Sequence, residues 1–370
     1  MTTLLLISLL AFFLSMICGF VFIPQIMNFC KKKNLYDIPN ARKIHKNAIP
    51  RLGGISFLPS MLLATLIALA VMAYNFRGGK VEINAWAVSF AIGLLMIYAV
   101  GLVDDLKGLS PSTKFVVQII AASLLPLSTL YINNFYGFCG INSVPAYVGI
   151  PLTVFILVFI MNAMNLIDGI DGLSGTLSFI ALAGFFFCFL REGLLVYCVL
   201  IAGLAGVIVA FLYFNIWGDP EKNRKIFMGD SGSLTLGYIL GALLVKFSMN
   251  NPHVMPYRKD SMLLAVTLLM VPVFDVVRVI IVRTLHHKPI FKADKNHIHH
   301  KLLRTGMTQH QALVTIILLA LFFIVLNISL YNYIYTTFII LIDIVLFTVF
   351  NYVVDYIIRK NGRETYSELD

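Results

Sequence analysis

Charge is scarce in this chain. Asp, Glu, Lys and Arg make up only 12% of its 370 residues, and 59% are hydrophobic. A soluble domain carries about 25% charged residues, so an ordinary soluble enzyme is excluded. A disordered chain is excluded too, because disorder needs low hydrophobicity. The five cysteines (Cys18, Cys30, Cys139, Cys188, Cys198) are odd in number and scattered, with no C-x-x-C and no Cys/His metal spacing. They read as inert, buried thiols and not as a disulfide framework. There is no G-x-x-x-x-G-K-[ST] loop, no H-E-x-x-H and no EF-hand loop, which removes the P-loop, zincin and calmodulin-type readings. No repeat of fixed period, low-complexity tract or Pro/Gly/Ser linker divides the chain, so residues 1–370 are expected to form one integral-membrane domain.

What the chain has instead is long apolar runs. They lie near residues 3–29, 55–75, 85–103, 112–132, 147–166, 174–190, 194–214, 232–249, 261–282, 313–330 and 335–357. Each is close to the ~20 residues that cross a bilayer. The expected fold is therefore an all-α polytopic membrane protein of about eleven transmembrane helices. The first run has no basic residue before it, and Lys31, Lys32 and Lys33 follow it. A cleaved signal peptide has the reverse pattern, so an uncleaved helix with its N-terminus outside is expected. An odd number of crossings puts the C-terminus in the cytoplasm. The loops that this topology places inside hold about 21 of the 28 Lys and Arg residues, as the positive-inside rule requires. That rule also accounts for much of the net charge of +10 without nucleic acid. Two helix starts are legible: Ser110-Pro111, an N-cap with proline at the first helical position, and Thr308-x-x-Gln311, a capping box.

The remaining polar residues collect at the expected inner ends of helices. Arg42-Lys43-x-His45-Lys46 precedes Pro50-Arg51-Leu52-Gly53-Gly54. Asp104-Asp105 closes the third run; adjacent carboxylates repel, and in a basic loop they can hold a divalent cation or take a proton. Asn162, Asn165, Asp168 and Asp171 recur at every third position and run into Asp-Gly pairs. Oxygen ligands of this kind at a helix end suit a hard cation such as Mg²⁺. Phe227-Met228-Gly229-Asp230-Ser231-Gly232-Ser233 enters the eighth run, where glycines and a helix N-terminus admit a phosphate. The last cluster holds His286, His287, Lys288, Asp294, Asn296, His297, His299, His300, Lys301 and Arg304. Its histidines, in so basic a loop, suit hydrogen bonds to phosphate better than zinc ligation. Asp275 and Arg278, one turn apart, are expected to form a structural ion pair. Lys246 is expected to snorkel toward the outer surface. No role is assigned to Asp343.

With its motifs in this order, the chain resembles the polyprenyl-phosphate N-acetylhexosamine-1-phosphate transferases. The form Asp294-x-x-His297-Ile298-His299-His300 together with Phe227-Met228-Gly229-Asp230 is similar to the undecaprenyl-phosphate N-acetylglucosaminyl-1-phosphate branch. The resemblance implies transfer of an N-acetylhexosamine-1-phosphate, GlcNAc-1-phosphate first among the candidates, from a UDP-sugar to undecaprenyl phosphate. UMP is released, and a cell-envelope glycan is begun. It further implies Mg²⁺ as cofactor, replaceable by Mn²⁺, with Asp230 as the main ligand and Asn165 beside it. Asp104 would take a proton from the lipid phosphate or otherwise activate it, supported by Asp105; direct attack by the lipid phosphate and a two-step route through an aspartyl phospho-enzyme both stay open. Lys114 would hold that phosphate, and Phe227 would stack on uracil. Asp168 and Asp171 would organise the nucleotide pocket. His297, His299 and His300 would contact the pyrophosphate or position the sugar, with Lys46 and Arg51 as further substrate contacts. The expected setting is the bacterial inner membrane with the site facing the cytoplasm; a homodimer is admissible and nucleic acid is not a partner. The phospho-MurNAc-pentapeptide branch is the near alternative, although its usual Pro-x-His-His-His form is replaced here by His-x-His-His. A multi-pass transporter of a phosphorylated sugar is the alternative of a different class.

Overall fold

The computed structural model describes residues 2–37, 48–75, 84–222, 224–289 and 295–366. In chain order the helices are α1 (Thr2–Lys33), α2 (Phe57–Asn75), α3 (Ala85–Lys107), α4 (Pro111–Leu127), α5 (Ala146–Ile167), α6 (Leu173–Arg191), α7 (Leu195–Ile216), α8 (Asp230–Ser248), α9 (Ser261–Thr267), α10 (Met270–Leu285), α11 (Ile298–Arg304), α12 (Gln309–Leu330) and α13 (Thr336–Lys360). Two small antiparallel hairpins interrupt them. β1 (Tyr36–Asp37) pairs with β2 (Ile49–Pro50), and β3 (Asn134–Phe138) pairs with β4 (Ile141–Ser143).

Each expected apolar run corresponds to helix, and the chain is a multi-pass membrane protein. Among the described residues nine helices are long and apolar enough to cross a bilayer. The bent pair α9–α10 is a broken span, which would make a tenth, or a re-entrant loop, and α4, at 17 residues, is a shorter apolar helix. Two runs are cut differently from the expectation. The run 261–282 breaks at Leu268–Leu269, where α9 and α10 meet at 72°. Pro272 accounts for the break: it has no N–H for the carbonyl of Leu268, and its ring collides with a straight helix at that point. The run 112–132 stops being helical at Leu127, one residue after Pro126, and leads on to β3. Neither hairpin was expected, and the histidine cluster read as a loop contains the short helix α11. The two capping readings hold: Ser110 accepts from Thr113 N, and Thr308 and Gln311 form a reciprocal box.

The helices pack around α8, in which every residue from Ser231 to Ser248 is buried. A helix covered on all sides needs small residues where its neighbours press close. Gly101 on α3 faces Ser231, where an added Cβ would lie 2.6 Å from that residue's Cα. Gly237 on α8 faces Met161 on α5 in the same way. Gly54 lies against Gly232, backbone to backbone. α1, α2 and α7 pack together on one side, and α5 and α6 meet α10 and α12 on the other. Leu6, Phe13, Leu318, Val325 and Leu341 on the outer helices are exposed, as side chains facing lipid must be.

The packing defines two faces. On one, the β3–β4 hairpin meets the start of α13, where Cys139 N donates to Thr337 Oγ1 at 2.7 Å. On the other lie the ends of α3 and α5 and the starts of α4 and α8. There too the end of α13 meets the end of α11, Asn361 Nδ2 donating to the Thr305 carbonyl at 2.8 Å. Lys246 does not snorkel. It is 4% exposed, with its ammonium 5.1 Å from the Trp86 ring centroid and 5.7 Å from that of Tyr197. Those two rings stack on each other, and their π faces replace the outer surface as the partner of the charge. Asp343 also gains a partner: Asn327 Nδ2 donates both to it, at 2.9 Å, and to Thr267 Oγ1, at 2.8 Å, tying α13, α12 and α9 together.

Candidate active site

The start of α8 is the centre of the site. Gly229 precedes it with φ +75°, a conformation that suits glycine. Gly229 offers no capping side chain, so the cap comes from another helix. Asp105, at the end of α3 and 5% exposed, accepts from the N–H groups of Asp230 at 2.8 Å and Ser231 at 2.9 Å. The first two donors of α8 are thereby satisfied by one carboxylate. Its neighbour Asp104 points elsewhere, because successive residues on a helix diverge by about 100°. One Asp104 oxygen accepts from Leu109 N at 2.7 Å and the other from Lys114 Nζ at 3.1 Å. The two adjacent carboxylates therefore do not converge on one ion, as the sequence had suggested they could.

Lys114 joins them to α8 from one turn into α4. Its ammonium donates to Asp104 and, at 2.8 Å, to Asp230. The second Asp230 oxygen accepts from Asn165 Nδ2 at 3.1 Å, and Asn165 also donates to Ser233 Oγ at 2.8 Å. Asp104, Lys114, Asn165 and Asp230, from four helices, thus form one hydrogen-bonded group. One turn further into the protein, Asn162 Nδ2 donates to Gln118 Oε1 at 2.6 Å, which spaces α5 against α4 behind Lys114 and Asn165.

The loop leading into α8 is held from both sides. Gly53 N and Gly54 N donate to the carbonyls of Phe227 and Met228 at 2.9 and 2.8 Å, and Phe227 N donates to Pro50 O at 2.7 Å. Phe227 is half-buried at that edge. Arg51 is occupied within the protein: Nε and Nη2 both donate to the Asp105 carbonyl, at 3.0 and 2.6 Å. It serves the end of α3 through these two donors. Lys46 lies outside the described residues, as do Arg42, Lys43, His45 and Asp294.

The turn after α5 carries Asp168 and Asp171. Asp171 pairs with Lys225 at 2.7 Å, a cation that the sequence reading passed over. Asn215 on α7 links the same two loops, accepting from Gly172 N at 2.6 Å and donating to Ile226 O at 2.8 Å. Asp168 has its pKa pushed up to about 8, first by burial and then by the negative charges of Asp230, Asp171 and Asp105.

The histidines arrive on α11. His299 lies against Gly169, where an added Cβ would strike its ring, so the cluster is seated next to Asp168. His299 is 1% exposed, and burial together with the charge of His300 and His297 lowers its pKa well below the ordinary histidine value. The rings of His297 and His299 are parallel with centroids 6.0 Å apart, and those of His299 and His300 are 4.2 Å apart. Lys301 anchors the helix to α13 through Asp355 at 2.8 Å. Burial, with Arg278 nearby, lowers the pKa of Lys301 to about 8. The structure therefore joins Asp104, Lys114, Asn165 and Asp230, stands Asp168, Asp171, Phe227 and the histidines around them, and uses Asp105 and Arg51 as supports. Lys225, Gln118 and Asn215 are the polar residues that sequence reasoning missed. A lysine in a basic loop and isolated amides in helices carry no local signal of their partners.

Among the described residues no three His, Cys, Asp or Glu groups converge as a ready-made metal cage. What does converge is a pair of carboxylates on a single cation, with an amide beside them.

Comparison with known proteins adds an independent line. Residues 87–248, from α3 to the end of α8, match the profile of glycosyl transferase family 4. Over 325 residues the chain is 30% identical to a probable undecaprenyl-phosphate N-acetylglucosaminyl 1-phosphate transferase of Bacillus subtilis (strain 168), covering 85% of this chain and 82% of that one. It is 34% identical over 299 residues to a decaprenyl-phosphate N-acetylglucosaminephosphotransferase of Mycolicibacterium smegmatis, covering 76% and 71%. It is 26% identical over 291 residues to an undecaprenyl-phosphate alpha-N-acetylglucosaminyl 1-phosphate transferase of Yersinia pestis, covering 78% and 75%.

Proposed function

The chain belongs to glycosyl transferase family 4, and from that premise we propose that it transfers GlcNAc-1-phosphate from UDP-GlcNAc to undecaprenyl phosphate. The products are a lipid pyrophosphoryl sugar, the first intermediate of a cell-envelope glycan, and UMP. The observation that carries this reading is the ammonium of Lys114 held between Asp104 and Asp230 at the membrane-proximal ends of α3, α4 and α8. A reaction between a soluble anion and an anion anchored in lipid needs movable positive charge at that depth. Its cytoplasmic placement in the inner membrane is part of the same reading and follows from the excess of Lys and Arg on the site's loops.

In the reaction an oxygen of the lipid phosphate attacks the phosphorus that bears the sugar. A new P–O bond forms, the anhydride bond to the nucleotide's inner phosphate breaks, and UMP leaves with that bond's electron pair. One anhydride replaces another, so the equilibrium constant is near unity. Lys114 exchanges its carboxylate partners for the incoming lipid phosphate, which frees Asp104 to take that phosphate's proton when it arrives as the monoanion. Asp168, whose pKa is raised by burial and by its carboxylate neighbours, stands beside the nucleotide's pocket. Phe227 stacks on the uracil, and α11 brings the histidines to the sugar and pyrophosphate.

The donors suit Mg²⁺. Mg²⁺ prefers oxygen, keeps several of its waters, and binds through one or two carboxylates plus substrate phosphates instead of a closed protein cage. Asp230, with Asn165 beside it, would hold the ion, and Mn²⁺ would be accepted by the same oxygens. When bound, it supplies positive charge that offsets the repulsion of two phosphates and the charge of the transition state.

The deciding experiment is product analysis. Purified protein with undecaprenyl phosphate, Mg²⁺ and a panel of UDP-sugars should release UMP, fastest with UDP-GlcNAc. Release of UMP with none of them, from protein that is folded and metal-replete, would overturn the proposal.

A further inference from the structure

Among the described residues two carboxylates, Asp105 and Asp275, cap a helix that is not their own. Asp105 gives both oxygens to backbone N–H groups of α8. Asp275, on α10, divides its oxygens. Oδ1 accepts from the backbone N–H of Ile298, the first residue of α11, at 2.9 Å, and from Arg278 Nη2 at 2.7 Å. Oδ2 takes the Nδ1 side of the His297 ring at 2.8 Å. Arg278 is itself fixed, since the same nitrogen donates to the Asn296 carbonyl at 2.6 Å. Asp275 is fully buried, His297 is 4% exposed, and His297 Nε2 has no hydrogen-bond partner among the described residues. The ion pair expected from the sequence is present, but it is one arm of a larger arrangement that ends on a histidine.

We propose that Asp275 is a positioning residue for the transfer reaction: it fixes the ring of His297 and holds its proton on Nδ1, leaving Nε2 as an acceptor for a hydroxyl or amide N–H of the sugar. A carboxylate can only accept, so the neutral imidazole beside it must carry its hydrogen on Nδ1. Asn in place of Asp would reverse this. Two donors, Ile298 N–H and Arg278, meet on Oδ1, so the amide would turn its oxygen to them and its NH₂ to the ring. Nδ1 would then have to accept, and the proton would move to Nε2. The substitution keeps size and backbone contacts while inverting the face that the ring presents.

The inference rests on the transferase reading for its effect on rate, but not for its effect on the ring. The first measurement is ¹⁵N NMR of full-length protein labelled at histidine, above the ordinary histidine titration range, with the His297 signal identified by its loss in His297→Gln. Expected is a protonated Nδ1 in the wild type and a protonated Nε2 in Asp275→Asn. The second is a kinetic cycle. Asp275→Asn should lower kcat/KM on the order of 100-fold, and should lower it little further in a chain that already carries His297→Gln. A wild-type ring with its proton on Nε2 would overturn the proposal, and so would an Asp275→Asn loss of the same size in the His297→Gln background. If Asp275→Asn does not fold, the wild-type spectrum alone decides. If wild-type protein releases no UMP at all, the transferase reading falls while the NMR result still stands or fails by itself.

Discussion

Asp104 and Asp105 are neighbours in the chain with separate roles. One faces a movable ammonium, and the other holds the backbone of α8. The sequence marks both, because paired carboxylates at the end of an apolar run are conspicuous, but it cannot divide the roles between them. Asp230 has both side-chain oxygens turned to site residues and its backbone N–H turned to Asp105. Asp230→Asn should therefore leave the fold intact, lower turnover by roughly 10²–10³-fold, and raise the Mg²⁺ concentration needed for half-maximal rate. A metal titration of UMP release checks this, and an unchanged curve would remove Asp230 from the site. Asp168 is legible as an out-of-place carboxylate, but its protonation depends on three other carboxylates brought near by folding. Its pKa in the folded state, about 8, lies above the ~3.9 of an unfolded Asp. The folded state then binds the extra proton, and stability from this group is lost as pH rises from about 4 toward 8, by at most ~1.4 kcal/mol per pH unit. Thermal melts in metal-free detergent should show Asp168→Asn with a flatter pH dependence over that window and a higher melting temperature than the wild type at its alkaline end.

At the scale of elements, the apolar runs were legible because lipid asks for little beyond local hydrophobicity and length. The short elements were not. α11 has seven residues and the β1–β2 hairpin two per strand, too few for either period to register. Both matter to the site, because one carries the histidines and the other leads into the loop that grips Phe227 and Met228. The start of α8 depends on a carboxylate from α3, which predicts a specific weakness. Asp105→Ala leaves the N–H groups of Asp230 and Ser231 without their acceptor and should destabilise the protein by about 1–3 kcal/mol. Activity should fall further than stability, since Asp230 is the first residue of the loosened turn. A melting curve and UMP release on the same sample would separate the two effects.

For the whole molecule, the consequence is a two-faced arrangement. The site lies on one face, and the β3–β4 hairpin lies on the other; its turn carries Cys139, which is exposed, contrary to the buried thiol expected from the sequence. Cys30 and Cys198 are buried, and Cys18 and Cys188 are half-buried. If the site faces the cytoplasm, a membrane-impermeant maleimide added to intact cells should label the wild type at Cys139 and fail to label Cys139→Ser. Labelling only after the membrane is breached would reverse the orientation.

The sequence alone determined that the chain lives in a membrane, roughly where its long apolar helices run, and which polar residues stand out against the apolar background. Those are local properties, set by composition over a span of bilayer length. Only the tertiary structure decided which groups meet. Lys114 and Asp230 are 116 positions apart and Asp105 and Ser231 are 126 apart, yet they share hydrogen bonds because α3, α4 and α8 pack closely. Those pairings depend on small residues such as Gly101 and Gly54 at the contacts, and on a central helix buried along its whole length. A carboxylate's function here is set by the donors that folding brings to it, and sequence spacing does not encode those donors.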